Sequence, residues 1–244
     1  MVETKSFGQW LRHRRRELDL TQDELARQIG CAPITIRKIE SEELRPSKQL
    51  AEEKLTPQKI TLYFMCGNDD LYSIDKVIGE FKSIRNPDMQ HFELDGGYEV
   101  VGLSNANLTP WLCARDIEEP EIAKKLEQLA GVIQNPEHTV CMLHVPPIGS
   151  GLDTCPDLDK NLKIITQGGQ VVMKSAGSTA VKAFIEKVQP MLTMHGHIHE
   201  SPGHVRNGRT LMINAGSEYA EGIMKAAIVN LENGKVKGHV LISA

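Results

Sequence analysis

The spacing of apolar residues changes near residue 59, and this change limits the folds open to the chain. Before it, apolar side chains recur every three or four positions, which is typical of amphipathic helices. After it, short apolar runs of strand length alternate with helical segments. Strands mixed with helices indicate a layered α/β domain. The sequence therefore predicts two domains, a small all-α domain over residues 1–55 and an α/β domain over residues 59–244.

The first domain carries local signals for three short helices. Ser6 can cap the first helix. Thr21 and Glu24 form a capping box, in which each side chain satisfies a free backbone amide at the start of the second helix. Gly30 ends that helix, and Pro33 fits the first turn of a third. A helix, a tight glycine turn and another helix form the arrangement that reads DNA.

These segments resemble the lambda-repressor-like helix-turn-helix family, through residues 20–26, Gly30 and residues 35–40. In that family the Gln after the capping Thr and the early residues of the next helix touch DNA. The residues implicated here are Gln22, Thr35, Arg37 and Lys38. Duplex DNA is therefore the expected partner of residues 1–55. A fourth helix is expected from about Ser47, and it leads directly into the second domain.

Charge alone does not decide whether this domain binds DNA. Residues 1–55 hold 11 Lys and Arg against 10 Asp and Glu, within a chain of net charge −4. The dense basic cluster at residues 12–16 is a candidate phosphate-facing patch, but a run of this length is more often a solvated helix face. A three-helix packing module without DNA therefore stays open as an alternative.

The second domain is expected to contain strands and helices in mixed order. We expect a hairpin turned at Asp95-Gly96-Gly97, and later strands broken at Asn207-Gly208 and Asn233-Gly234. The other expected elements are a strand at 60–66, a helix at 72–84, hairpin strands within 92–103, a helix at 118–132, a strand at 139–143, a helix at 178–188 and a strand at 191–194.

Several apolar strands of this domain end in groups that can bind a metal or a phosphate. Asn68 follows the first strand, His144 follows a later one, and His197 and His199 follow another. Strand ends are where sites form in open α/β sheets. On an extended segment a spacing of two places both imidazoles on one side, and Gly196 leaves the backbone room to bend toward an ion. Imidazole suits Zn, Mn, Fe or Ni, whereas an amide oxygen fits Mn or Fe. The alternative is a set of satisfied polar residues at strand ends.

The ordered set resembles the calcineurin-like metallophosphoesterases. Three of that family's five blocks are present, namely the Gly-Asn block at Gly67-Asn68-Asp69-Asp70, the lone His at His144, and Gly-His-x-His at residues 196–199. The resemblance implies an α/β/β/α sandwich. It also implies that Asn68, His144 and His197 hold one metal and that His199 belongs to a second. In the family the two metals activate a water for attack on the phosphorus of a phosphate ester.

Two blocks of that family are absent from the chain. Neither Asp-x-His nor Gly-Asp-x-x-Asp occurs, so the resemblance implies a truncated domain that binds one divalent transition metal (Mn, Fe, Zn or Ni) rather than two. Asp69 stands at the catalytic position where the family has a His. An acid there is a poor proton donor at neutral pH unless its pKa is raised. Hydrolysis of phosphate esters is therefore expected to be weakened or lost.

Three functions remain open on the sequence. The first is a metal-dependent phosphoesterase, and the second is a DNA-binding regulator whose phosphoesterase remnant only binds a metal or a phosphorylated ligand. The third is an accidental fusion, because the junction at residues 54–57 has no flexible linker. The five cysteines show no paired spacing and are expected to be reduced. No apolar run approaches the roughly 18 residues of a membrane helix, so a cytoplasmic location is expected.

Overall fold

A computed structural model describes residues 7–17, 19–44 and 61–244. Its contacts divide the chain into two compact units, and the division falls at Leu62–Tyr63. Residues 7–44 lie in the first unit and residues 63–242 in the second. The expected cap at Ser6, the helix from Ser47 and the junction at residues 54–57 lie outside the described residues.

The described part of the first unit is built from three short helices. They are α1 (Phe7–Glu17), α2 (Gln22–Gln28) and α3 (Pro33–Glu40). The predicted capping box is confirmed, since the Thr21 side chain accepts a hydrogen bond from the Glu24 amide and the Glu24 carboxylate accepts one from the Thr21 amide. Gly30 has a φ of 60°, in the left-handed region that ends a helix.

Close packing joins α1 to α3 in this unit. Ala26, Ile36 and Ile39 are buried and form its small core. A Cβ added at Gly8 would lie 2.3 Å from the carbonyl oxygen of Ile39, so only glycine permits this approach. Ile36, Ile39 and Glu40 of α3 therefore face inward, whereas Arg37 and Lys38 are exposed.

The described residues from Leu62 onward form three α-helices, two single-turn 3-10 helices and sixteen strands. The α-helices are α4 (Ser73–Gly79), α5 (Glu119–Val132) and α6 (Thr179–Val188). The strands are β1 (Leu62–Tyr63), β2 (Ile84–Arg85), β3 (His91–Leu94), β4 (Tyr98–Leu103), β5 (Ala106–Asn107), β6 (Asp116–Ile117), β7 (Thr139–Leu143), β8 (Thr154–Pro156), β9 (Thr166–Gln167), β10 (Gln170–Val171), β11 (Met173–Ser175), β12 (Leu192–His195), β13 (Gly203–Asn207), β14 (Thr210–Asn214), β15 (Lys225–Glu232) and β16 (Lys235–Ser243).

A six-stranded sheet forms the centre of the second unit, in the order β13-β14-β12-β7-β4-β3. Its four inner strands β14, β12, β7 and β4 run parallel, and the edge strands β13 and β3 pair antiparallel to their neighbours. Parallel strands bury both faces, so they read as continuous apolar runs, as residues 140–143 do. The carboxyl ends of the parallel strands all reach the same edge of the sheet.

The two faces of the sheet are covered by different elements. Alternate residues of β7 show this, because Val140 packs on one face and Cys141 on the other. The face with Cys141 is covered by α5 and α6 through side chains such as Leu126 and Phe184. The opposite face is covered by the β15–β16 hairpin, through side chains that include Val229. The prediction of a mixed α/β fold behind a small helical unit is confirmed.

Two predicted elements differ from the structure. The run at 60–66 forms only the two-residue strand β1, which pairs with β2 outside the main sheet, and Ile60 is not described. Leu62 and Phe64 are 41% and 45% exposed, so this apolar run is not a buried strand. The helix expected over 72–84 ends at Gly79, because residues 84–85 turn back to form β2 against β1.

The segment between His144 and α6 is partly ordered as nested hairpins, in which β8 pairs with β11 and β9 with β10. The predicted hairpin turn at Asp95-Gly96-Gly97 is confirmed, with positive φ at both glycines. Within the described residues, no helix is both long and apolar enough to cross a membrane.

Candidate functional site

Three polar side chains from distant parts of the chain converge in the second unit. The Oδ1 atom of Asn68 lies 3.0 Å from Nε2 of His144 and 3.1 Å from Nδ1 of His197. The two imidazole rings meet edge to face, with centroids 5.2 Å apart. Asn68 is buried. We call Asn68, His144 and His197 the Asn68 cluster.

The sheet explains why two members of this cluster meet. His144 directly follows β7, and His197 comes two residues after β12. These strands are parallel neighbours, so their carboxyl ends lie side by side. Asn68 reaches the same place because its backbone oxygen accepts a hydrogen bond of 2.9 Å from the Arg115 amide.

Asp116 orients the Asn68 amide, and sequence reasoning missed it. The Asn68 Nδ2 group donates to Asp116 at 2.8 Å, which fixes the amide with its oxygen toward the histidines. Burial opposes ionisation of Asp116, but hydrogen bonds from Thr109, Asn68 and Cys113 outweigh it and lower the pKa of this carboxyl. Asp116 lies in the two-residue strand β6, and no sequence pattern marks it.

Arg115 anchors the segment that carries Asn68, and it was also missed. Its side chain is fully buried and forms an ion pair with Asp75 at 3.0 Å. Its Nε donates to the backbone oxygen of Asp70 at 2.9 Å, and Nη2 donates to that of Leu71 at 3.2 Å. The guanidinium also lies over the Tyr72 ring. One buried cation therefore holds the backbone that follows Asn68.

Gly67 makes room for the His144 ring. A Cβ added at Gly67 would lie 2.7 Å from Cε1 of His144. At Gly196, where we expected backbone freedom to matter, an added Cβ would lie at an ordinary 3.6 Å from the same ring. The backbone bends at His197 itself, which has a φ of 62°. The extended segment that we predicted there is therefore not formed. The spacing of two between His197 and His199 thus does not place both imidazoles on one side.

Both histidines of the cluster are held neutral. Burial lowers the pKa of His144 to about 3, and the neighbouring His197 and His199 add to the effect. Burial also lowers the pKa of His197, which nearby Asp116 opposes. Neutral imidazole is the form that binds a metal ion. The distances from the Asn68 oxygen to the two imidazole nitrogens also fit hydrogen bonds, in which each ring donates an N–H group to that oxygen.

The Asn68 oxygen lies about as far from each imidazole nitrogen as two ligands of one ion lie from each other. Metal bonds of about 2.1 Å at right angles separate neighbouring ligand atoms by roughly 3.0 Å. In the described part of the chain, no three His, Cys, Asp or Glu side chains form a group that could hold a metal. The third donor of the Asn68 cluster is the amide oxygen of Asn68. Whether the cluster can hold one ion therefore depends on Asn68 as well as on the two histidines.

The other two predicted residues of this site lie outside the cluster. His199 is exposed, and its ring stacks edge to face against Tyr219 at 5.8 Å between centroids. Asp69 is exposed and lies near the Cys113 thiol, whose pKa is raised mainly by burial and in part by this carboxylate. Their roles as a second metal ligand and a catalytic acid stay predictions.

Two neighbouring polar residues have structural partners. His195 is buried, its Nδ1 lies 2.9 Å from the Leu143 carbonyl oxygen, and burial lowers its pKa to about 4. Asn214 donates to the Ile198 carbonyl at 2.8 Å. It therefore fixes the loop that carries His197.

A cavity of about 510 Å³ adjoins the cluster. His197 and His199 lie in its wall beside Trp111, which is 62% exposed. The nested hairpins of β8–β11 also line the cavity, through Leu162 and Ile164. A molecule in this cavity would lie against a histidine of the Asn68 cluster.

The first unit presents a separate candidate surface on α3. Arg37 and Lys38 are exposed, and Thr35 is half-buried. Gln22 differs from the prediction in its environment, because its Nε2 donates to the buried Glu40 at 2.8 Å. Its predicted contact with DNA has not been tested.

Arg15 is also turned inward. It donates from Nε to Glu40 at 2.6 Å, and Arg12 lies 3.6 Å from the same carboxylate. Burial opposes ionisation of Glu40, but hydrogen bonds from Arg15 and Gln22 outweigh it and lower its pKa. The basic cluster at residues 12–16 therefore supplies at least two arginines to an internal ion pair.

Comparison with known proteins gives a family match in the helical region of the chain. Residues 11–53 match the family model described as helix-turn-helix. No curated protein matches the chain. One crystal structure is similar over 84% of this chain and 79% of its own, at 17% identity and a TM-score of 0.50. The protein TT1561 of Thermus thermophilus is similar over 80% of this chain and 76% of its own, at 15% identity and a TM-score of 0.49.

The sulfate thiohydrolase SoxB of Thermus thermophilus, solved in complex with glycerol, is similar over 80% of this chain but 35% of its own. Its identity is 12% and its TM-score 0.40. At such identities a likeness concerns the fold alone. The chain thus contains a helix-turn-helix segment at residues 11–53, followed by a sheet-rich α/β region.

Proposed function

We propose that the chain is a DNA-binding regulator whose α/β unit binds a metal or a phosphorylated ligand. The match of residues 11–53 to the helix-turn-helix family carries this proposal. The second helix of such a motif enters the major groove with its early residues at the base edges. Here that helix is α3, which buries Ile36 and Ile39 and exposes Arg37 and Lys38.

Phosphate contacts are expected to supply most of the affinity. Each lysine or arginine that neutralises a phosphate releases condensed counterions, so binding weakens as salt rises. Arg15 is held by Glu40 inside the unit, which leaves Arg37 and Lys38 as the main predicted contacts on α3. The first 55 residues have a nearly balanced charge, and this agrees with a small number of phosphate contacts.

The test is selection of a duplex from a random pool by the full chain, followed by affinity measurements at several salt concentrations. Replacing Arg37 and Lys38 together with Ala should weaken binding at least about tenfold and reduce the salt slope. The matched control replaces Lys124 and Lys182, two exposed lysines of the α/β unit. If the double variant of α3 binds as tightly as the control, α3 does not read DNA.

A second candidate function is metal-dependent hydrolysis of phosphate esters, which the Asn68 cluster supports. Asn68, His144 and His197 would hold the ion, and Asp116 would orient the amide ligand. When bound, the ion would activate water and stabilise charge on the phosphoryl oxygens. The motifs shared with calcineurin-like metallophosphoesterases favour this chemistry, whereas the missing acidic blocks favour binding without turnover.

Hydrolysis and binding are separated by one assay. The Mn²⁺-loaded chain is given bis(4-nitrophenyl) phosphate, beside a His197→Ala control. Our proposal expects at most a trace of turnover. Fast hydrolysis that disappears in the His197→Ala variant would establish the enzyme and reject the binding-only function.

A further inference from the structure

The cavity beside the Asn68 cluster indicates which phosphate compounds the α/β unit would accept. We propose that it binds an organic monophosphate whose organic part is apolar, with the phosphate at the Asn68 cluster and the apolar group in the cavity. This inference rests on the proposed phosphate or metal binding at that cluster. His197 connects the two parts, because it belongs to the cluster and also lines the cavity.

Large apolar side chains are left uncovered in the cavity wall. Trp111 is 62% exposed, Ile164 54%, Leu108 47% and Leu162 45%. They come from two separate segments, the loop after β5 and the nested hairpins, which face one cavity. Small-molecule sites are lined mainly by apolar and aromatic side chains with a few placed polar groups. An apolar ligand group would cover these side chains, whereas a sugar or a peptide backbone would bring polar groups against them.

The charges in the wall favour a single phosphate over a polyphosphate. Lys174 lines the cavity, but its ammonium pairs with Asp157 at 2.9 Å. Glu200 adds a carboxylate to the same wall. A second or third phosphate would therefore meet no unpaired lysine among the described wall residues, and it would meet one negative charge. The cluster itself is the place for the one anionic group.

An unmatched polar atom also lies at this wall. Asn107 lines the cavity, and its Nδ2 donates to the Ala176 carbonyl. Its Oδ1 is buried and accepts no hydrogen bond from any described residue. Buried acceptors are normally paired, so an unpaired one needs an explanation. An apolar ligand group carries no donor for this buried oxygen, so Asn107 Oδ1 lies outside the proposed ligand contacts.

The experiment is calorimetric titration of the full chain, loaded with Mn²⁺, with two non-hydrolysable probes. They are methylphosphonate and 1-naphthylmethylphosphonate, which share the anionic group and differ in the apolar part. The naphthyl probe should bind about tenfold more tightly, because it buries apolar surface in the cavity. Replacing Trp111 and Ile164 with Ser should remove this difference, because the naphthyl probe loses its apolar contacts.

The matched control is Val132→Ser, an exposed apolar residue on α5 that does not line the cavity. It should keep the tenfold preference. Equal affinity of the two probes for the wild type would overturn the cavity proposal while phosphate binding stands. A preference that survives in the Trp111/Ile164 variant would also overturn it. If neither probe binds, phosphate binding at the Asn68 cluster fails, and the cavity proposal fails with it.

Discussion

The two units each bury a polar cluster, and the clusters differ in how far the chain itself completes them. In the helix-turn-helix unit, Glu40 is surrounded by donors from Arg15 and Gln22, with Arg12 nearby. In the α/β unit, the Asn68 oxygen faces two neutral imidazoles at about the spacing of metal ligands.

The two clusters show the difference between buried polar groups that stabilise the fold and buried polar groups that can bind a ligand. The charge of Glu40 is matched by Arg15, which explains why a carboxylate can be buried in so small a unit. The Asn68 cluster carries no charge of its own, and its orientation is fixed by Asp116. Changes to the first cluster should therefore affect folding, and changes to the second should affect binding.

The largest loss of stability is expected at Arg115, the buried cation that pairs with Asp75 in the α/β unit. Arg115→Met leaves Asp75 and Asp88 without their cation and breaks the contacts to the backbone after Asn68. Unfolding by urea should show a loss of about 3 kcal/mol or more. Lys237→Met, at the exposed pair with Glu232, should cost less than about 1 kcal/mol. Equal losses for the two variants would refute the anchoring role of Arg115.

A somewhat smaller effect is expected at Glu40. Glu40→Gln keeps the shape but removes the charge that Arg15 and Gln22 hold, which should destabilise the helix-turn-helix unit by about 2 kcal/mol. Circular dichroism of the full chain during heating measures the loss of helix. Mn²⁺ binding at the Asn68 cluster should be unchanged, and a parallel loss of both would show that the units are not independent.

The pH dependence of the same unit follows from the lowered pKa of Glu40. A carboxyl whose pKa is lower in the folded state stabilises folding above its unfolded pKa, about 4.3, and this stability is lost as the pH falls through the folded pKa. Helix content should therefore drop in acid below about pH 4. In Glu40→Gln this portion of the acid transition should be absent; an identical acid profile in both proteins would exclude Glu40 as its source.

The smallest effect is expected at Gly67, which leaves the fold intact. In Gly67→Ala the new methyl group must displace the His144 ring, which it would otherwise approach to 2.7 Å. Displacing a ligand should weaken Mn²⁺ binding by about tenfold or more. Gly196→Ala, where the same ring is 3.6 Å away, is the matched variant and should bind nearly as the wild type does. Calorimetric titration with Mn²⁺ distinguishes them.

Local patterns predicted much of the fold. The capping box at Thr21 and Glu24, the hairpin turn at residues 95–97 and strand β7 were all predicted, because each depends on neighbouring residues. The run at 60–66 misled the prediction. An apolar run does not reveal whether a sheet offers it a partner, and β1 pairs only with β2 among the described strands.

The sequence predicted the three residues of the Asn68 cluster, but it did not predict the residues that support them. His144 and His197 were found because each follows a strand, and Asn68 because it follows the apolar run at 60–66, which is not a strand of the main sheet. The structure nevertheless brings the three together. Asp116 lies 48 positions from Asn68 and Arg115 lies 45 from Asp70, so their role depends on tertiary contacts. Gln22 was predicted to contact DNA, and its hydrogen bond to Glu40 was not predicted, because the two residues are 18 positions apart in sequence.

The central claim is that the Asn68 cluster, unlike the Glu40 cluster, takes a ligand from outside the chain. The most direct test is equilibrium dialysis of the full chain against Mn²⁺, with bound metal counted by atomic emission. We predict one ion per chain in the wild type and in the Arg37→Ala/Lys38→Ala variant, and none in Asn68→Ala. A wild type without bound metal, or an Asn68→Ala variant that keeps its ion, would contradict the claim.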